Sequence, residues 1–300
     1  MKIVYLDNNA TTQVAPEVLE AMLPYFHDLY GNPSSMHSFG GQVAQKLREA
    51  REQVATLIGA SPDEIIFTSC GTESDNAAIR SALATHPERR HIVTSRVEHP
   101  AIKSLCANLA GQGYRVTELP VDKNGLLDME QLESSLTPDT AVVSLMWANN
   151  ETGVIFPVEK AAALAHERGI PFHTDAVQST GKIPINVKKS AIDMLSISGH
   201  KLHAPKGIGV LYVRKGTKFS PFLIGGHQEK GRRGGTENTP SIIGLGKACE
   251  LAARRMETEN TAVKRLRDKL ETALLDGIPQ SRVNGDLFQR LPNTTNISFE

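Results

Sequence analysis

The sequence is short of several things, and each shortage removes a class of function. Its three cysteines, Cys70, Cys106 and Cys249, are odd in number, widely spaced and form no CxxC pair. That argues against a disulfide framework and against a cysteine-based metal site, and buried, inert thiols are expected at all three. An excess of one charge is also missing, since 33 Lys+Arg balance 33 Asp+Glu. Nothing in that balance favours nucleic acid or an anionic membrane surface. No run approaches the ~20 apolar residues of a membrane span, and the opening MKIVYLDNNATT is too weakly basic and too briefly apolar for a signal peptide. What remains is a cytoplasmic protein that acts on small polar ligands.

What the sequence does have is length and pattern. Its 300 residues, 40% of them hydrophobic, suffice for a large domain with a buried core and a smaller companion. Pro16 stands where a helix starts, with Val18, Met22, Leu23 and Phe26 following at helical spacing. A second helix carries Val43, Leu47, Val54, Leu57 and Ile58 on one face and ends at Gly59. Seven short β-branched runs follow, at 64–69, 91–95, 114–119, 140–147, 171–175, 193–198 and 207–213. Most gaps between them hold a crossover helix, which predicts a mostly parallel sheet with flanking helices. The gap from Ser198 to Gly207 is too short for one and predicts one antiparallel strand. From Pro240 to Asp276 a long charged helical pattern leads out of the sheet. The division expected is a large domain over 15–250, with 1–14 and 251–300 forming part of a small α/β domain. The final NTTNISFE reads as the start of a strand, so a partly represented chain is expected.

In open α/β sheets ligands bind beyond the strand ends, and the loops there carry polar clusters. After the first strand, Gly71 and Thr72 can offer backbone amides and a hydroxyl to a phosphate, although Thr72 also suits an N-cap, with Glu73 and Asp75 in the first turn. His99 precedes the proline of the next helix and can lie against an aromatic ligand or face solvent. Asn149 and Asn150 can donate to a ligand oxygen, or simply form a turn. Asp175 and Gln178 follow the fifth strand, where a partly buried carboxylate needs a cationic partner such as a protonated pyridine, or caps a helix. The sixth strand delivers Ser198, Gly199, His200 and Lys201. A lysine at a buried strand end has a lowered pKa and is a competent amine for Schiff-base chemistry. Lys206, after Pro205, suits a solvated strand edge, and His200 with His203 lacks a third ligand for a metal.

In order, the segments YLDNNATT (5–12), GNPSSMHSFG (31–40), TSCGTESDN (68–76), EHPA (98–101), NNETG (149–153), DAVQS (175–179), SGHK (198–201), PKGIG (205–209) and GGTEN (234–238) resemble the signatures of cysteine desulfurases of the NifS and IscS type. These belong to the class V aminotransferase group within fold-type I pyridoxal 5'-phosphate (PLP) enzymes, and Cys70 in its motif looks more like the nitrogen-fixation branch. The resemblance implies that Lys201 holds PLP as a Schiff base and moves the substrate's α-proton. It implies that His99 stacks on the ring and aids proton transfer, that Asp175 keeps the ring nitrogen protonated and that Gln178 bonds the phenolic oxygen. Gly71, Thr72, Ser198 and His200 would bind the phosphate, and Asn150 would face both cofactor and substrate carboxylate. Thr236 would reach the phosphate of a partner subunit in a homodimer.

The activity implied is removal of sulfur from L-cysteine, giving alanine and a persulfide passed to an iron–sulfur scaffold protein. By the same resemblance, the sulfur-accepting loop cysteine and the carboxylate-gripping arginine are expected after residue 300. A selenocysteine lyase, another class V PLP reaction, or a PLP-binding chain without turnover are the alternatives left standing.

Overall fold

The computed structural model describes residues 3–300; Met1 and Lys2, within the segment expected to join a second domain, lie outside the described residues. Helices α1 (Pro16–Met22) and α2 (Pro24–His27) divide what the spacing predicts as one helix. Pro24 lacks an N–H and restarts the helix, which turns the apolar face. Val18, Met22 and Tyr25 are therefore buried, whereas Leu23 and Phe26 are exposed, contrary to the expected stripe. Helix α3 (Ser38–Ile58) buries Val43, Leu47, Val54, Leu57 and Ile58 as expected. Gly59 ends it at φ 67°, its N–H donating to the Ala55 and Thr56 carbonyls. A Cβ there would stand 2.7 Å from Asn186 Oδ1, so only glycine fits both the conformation and the space.

All seven apolar runs form strands: β1 (Ile65–Thr68), β2 (His91–Ser95), β3 (Arg115–Leu119), β4 (Thr140–Ser144), β5 (Phe172–Asp175), β6 (Met194–Ser198) and β7 (Gly209–Val213). They build one sheet in the order β1-β7-β6-β5-β4-β2-β3. The pairs from β3 through β6 are parallel, and β7 is antiparallel to both β6 and β1. It is the antiparallel strand that the short gap after Ser198 requires. Except for the edge strand β3, every strand of this sheet is buried along its length, because helices cover both faces. The crossovers are α4 (Gly71–Thr85), α5 (Pro100–Gly111), α6 (Met129–Ser135) and α7 (Val158–Glu167).

Helix α8 (Thr239–Thr258) packs on α3 and α1. It continues through a π-helical turn (Glu259–Val263) into α9 (Lys264–Gly277) and on to an antiparallel pair, β8 (Ser281–Val283) and β9 (Ile297–Phe299). No helix among the described residues is long and apolar enough to cross a membrane.

The basic run 231–235 serves the fold. Arg232 donates to the carbonyls of Glu229 and Ile65, and Arg233 pairs with Glu73 at 2.9 Å. Beside it, Glu229 is buried and accepts from both terminal nitrogens of Arg51, at 2.8 and 2.6 Å, and from the Phe67 N–H at 3.1 Å. Removing one partner of such a pair leaves the other charge stranded. Glu229→Ala is expected to cost about 3 kcal/mol, read as a lower urea midpoint at unchanged slope.

Candidate active site

The C-terminal ends of β1, β2, β4, β5 and β6 open onto one cleft, at the strand ends where open α/β sheets bind ligands. Gly71, Thr72, His99, Asn150, Asp175, Gln178, Ser198, His200 and Lys201 all line it. One expected site residue does not: Thr236 lies in a separate hollow with Phe67, Gly207 and Arg233.

At one end of the cleft, helix α4 begins. Its N-cap is Cys70, with no side-chain capping bond, and Thr72 is already inside the helix, so it is not the N-cap. The first-turn amides of Gly71 and Thr72 therefore point where the helix dipole favours an anion. β7 comes close enough to set this turn only because of Gly209, where a Cβ would lie 2.6 Å from the Cys70 carbonyl carbon. Across from it, His200 Nδ1 shares a hydrogen bond with Thr11 Oγ1 at 3.0 Å, and Nε2 has no hydrogen-bond partner among the described residues. Ser198 ends β6 beside it. Cys70 itself is half-buried on the wall, whereas Cys106 and Cys249 are buried, their thiols pushed up to about 12 by burial. The expectation of three buried thiols thus fails at Cys70, whose place at the β1–α4 turn opens it to the cleft.

The middle of the cleft holds the acids. Asp175 is only 6% exposed. Its Oδ1 accepts the Val177 N–H at 2.9 Å, so it caps a local turn as well as lining the cleft. Burial raises its pKa, while the Val177 N–H, His99 and Lys201 pull the other way. Asp75 lies beneath it, 1% exposed, its pKa raised well above the usual carboxylate range by burial and then by the charge of Asp175. The sequence places Asp75 in a first turn with Glu73, but only Glu73 has that role, accepting the Ser69 N–H at 2.7 Å. Buried His173 bridges Ser144 Oγ at 2.8 Å and Ser196 Oγ at 2.9 Å, and burial lowers it to about 3. It is a neutral strut.

At the other end stands Lys201, in a 3₁₀ turn after β6. Its Nζ donates to the backbone carbonyls of Asn9 and Ala10. Burial lowers its pKa against the opposing charges of Asp175, Asp7 and Glu151. Gln178 Nε2 also donates to the Asn9 carbonyl, at 2.9 Å. His99 is the N-cap of α5, its Nδ1 accepting the Ala101 N–H at 3.1 Å, which assigns the ring proton to Nε2. Asn149 is spent on its turn, Oδ1 taking the N–H groups of Glu151 and Thr152, so only Asn150 serves the cleft. Lys206 is exposed, and His203 Nδ1 turns away to the Gln13 carbonyl.

The segment Asn9–Thr12 forms a wall that residue-by-residue reading does not assign. Thr12 Oγ1 and N–H both hold the His200 carbonyl, at 2.8 and 3.0 Å, and Asn9 Nδ2 reaches the Asn150 carbonyl at 3.3 Å. Its signal in the sequence was the run YLDNNATT.

The residues present fit PLP. Asp175 is a buried carboxyl short of a cation, an open helix start and the His200 imidazole line one end of the same cleft, and an amine of lowered pKa stands at the other. The cleft residues that would hold it are Lys201 through its amine, Asp175 at the ring nitrogen, Gln178 at the phenolic oxygen, and Gly71, Thr72, Ser198 and His200 at the phosphate.

The class-V aminotransferase family profile matches residues 4–300. A cysteine desulfurase of Nostoc sp. (strain PCC 7120) is 62% identical over 300 residues, covering all of this chain and 75% of that protein. Cysteine desulfurase NifS of Azotobacter vinelandii is 62% identical over 301 residues, with the same shares covered. Among solved structures, a NifS-like protein superposes with a TM-score of 0.96 at 40% identity, over 99% of this chain and 82% of its own. SspA in complex with cysteine gives 0.90 at 38% identity, over 99% and 84%. A seven-stranded, mostly parallel sheet, a cleft at its strand ends and relatives of this identity agree: the chain belongs to the class-V aminotransferase family, among its cysteine desulfurases of the NifS type.

Proposed function

We propose that the protein is a PLP-dependent cysteine desulfurase of the nitrogen-fixation type, converting L-cysteine to L-alanine and delivering the sulfur to an acceptor thiol for iron–sulfur cluster assembly. The observation that carries the reading is the convergence of Lys201, Asp175 and the α4 amides on one cleft, in a chain 62% identical to cysteine desulfurase NifS. Selenocysteine lyase and the other class V reactions are not favoured, since relatives from 55 to 62% identity bear the cysteine desulfurase name.

PLP, when bound, supplies an electron sink for charge developing at the substrate's Cα. The chain supplies the rest. Lys201 Nζ, kept a competent base by burial, takes the α-proton and returns it. Asp175 Oδ2, free of protein donors, holds a proton at the ring nitrogen. His99 Nε2–H would face the substrate side chain, whose Cβ keeps the C–S bonding pair and takes up a proton when the acceptor thiol removes the sulfur, and the Asn150 amide orients the substrate carboxylate. The Asn9–Thr12 segment lines the Lys201 side, where the Asn9 and Ala10 carbonyls accept from the amine and orient it. A homodimer is part of this reading, supported by Thr236 lying away from its own chain's cleft.

The test is direct. Protein reconstituted with PLP is expected to show a visible absorption band, to respond to L-cysteine by a spectral change, and to form alanine with dithiothreitol present. L-Serine and L-alanine should give no sulfide. Formation of pyruvate or a keto acid instead of alanine would assign a different class V reaction.

A further inference from the structure

Directly before His99 lies a residue that the reaction does not use. Glu98 is 4% exposed and follows β2, yet its side chain does not reach the cleft. Its Oε1 accepts from Ser95 Oγ at 2.6 Å and from the Met146 N–H at 3.0 Å. The other oxygen, Oε2, is buried without any partner. Met146 is itself a cleft residue, on the segment that leads from β4 to Ala148 and Asn150. A second tie runs alongside, from Asn149 Nδ2 to the Val97 carbonyl at 3.2 Å. We propose that Glu98 is a positioning residue: its carboxyl braces the β2 exit against the β4 exit and so fixes where the His99 ring stands in the cleft. This rests on the reading of the cleft as a PLP site.

The brace suits a neutral carboxylic acid. A carboxylate with one oxygen orphaned in a dry interior is costly, and the groups facing Glu98 offer it no cation. Asp75 faces it from α4, Asp175 from β5 and the Cys106 thiol from α5. The adjoining His99 does not supply one either, its Nδ1 being engaged by the Ala101 N–H. Burial accordingly pushes Glu98 up to about 8, with the Ser95 hydroxyl and Met146 N–H pulling down and Asp175 pushing further up. For a carboxyl raised in this way, the folded state keeps a proton that the unfolded chain has released. The stability contributed by Glu98 therefore declines as pH climbs from the ordinary glutamate range to about 8, then levels off. Once ionised, the carboxylate draws water to Oε2 and loosens the β2 exit, and His99 with it.

The protein's single tryptophan, Trp147, follows Met146 and donates its backbone N–H to the Asp175 carbonyl at 2.8 Å, so its emission reports on this brace. In the apo-protein, Trp147 emission is expected to titrate with a midpoint near pH 8, and Glu98→Gln, which keeps both Oε1 bonds, is expected to abolish that transition. In the second arm, PLP affinity is measured by quenching of Trp147. Glu98→Ala should weaken PLP roughly tenfold, as loss of one partner of a buried hydrogen bond does, but less than about twofold in a His99→Ala background, because the effect runs through that ring. An unchanged transition in Glu98→Gln, or an equal loss from Glu98→Ala in both backgrounds, would overturn the proposal. Wild-type protein that takes up no PLP sinks the functional reading instead, and the apo-protein titration still decides the role of Glu98.

Discussion

Lys201→Ala is expected to remove alanine formation by three or more orders of magnitude, roughly 4 kcal/mol of barrier, and to yield protein that loses its visible band on desalting. On the proposed reading two roles fail together, since the same Nζ would anchor the cofactor and move the α-proton. The fold should be untouched. Among the described residues Nζ hydrogen-bonds the Asn9 and Ala10 carbonyls, and both stand at the cleft edge, where water can replace it. Circular dichroism should therefore superpose on the wild type. The nearby Lys206 is exposed and cannot substitute, so adding a free primary amine to Lys201→Ala protein should restore only a small fraction of turnover. Turnover within tenfold of wild type would remove Lys201 from the chemistry.

Asp175→Asn carries the second largest effect. The change keeps the bond to the Val177 N–H at Oδ1, and so keeps the turn, but removes the charge that would hold a proton at the ring nitrogen. A loss of about 10² to 10³ in kcat is expected, the scale seen when one preorganised electrostatic group is deleted, with PLP still bound through Lys201. Stability moves the other way. Asp175 is a buried carboxyl facing a second one, Asp75, and its raised pKa marks it as a cost to the apo-fold. Apo Asp175→Asn protein should melt no lower than wild type, the mark of a residue retained for function at the expense of the fold. A lower melting point with unchanged kcat would mean that Asp175 is structural.

How much of this was legible in the chain depended on whether the physics was local. Strands buried on both faces favour apolar and β-branched residues, so β1, β2 and β4 to β7 were legible even where buried His, Ser and Thr interrupt them, and the short gap after Ser198 dictated the direction of β7. The polar residues at those strand ends fell into one cleft because parallel strands deliver their exits to one edge. Pairings between distant segments were not legible. Nothing in the run around Leu23 and Phe26 says that Pro24 turns them to solvent, and nothing near residue 98 says that Met146 will supply the N–H that permits burying a glutamate. Asp75 looked like an ordinary first-turn acid because its burial is set by β5 and β6, about a hundred residues or more away in the chain. Cys70 had the composition of a core thiol, and its exposure to the cleft follows from a turn whose shape Gly209 controls. Asn9 and Ala10 were visible as a motif, but their contact with Lys201 is a meeting of chain segments that no periodicity encodes.

The place of β7 in the sheet also bears on how the protein is made. β1 has one strand neighbour, β7, with Thr68 opposite Gly209, so the anion-binding turn at Cys70 and Gly71 cannot settle when it leaves the ribosome. It must wait, with β1 unpaired, until the chain has been synthesised past Val213 and the long loop between them has closed. A nascent chain halted after β5 would hold Asp175 on a strand, and His99 just past one, already able to pair, yet lack both Lys201 and the settled turn at Cys70 and Gly71. On the proposed reading, capture of the vitamin B6 cofactor would be deferred to a late step of biogenesis, and until then β1 presents an open strand edge of the kind chaperones shield.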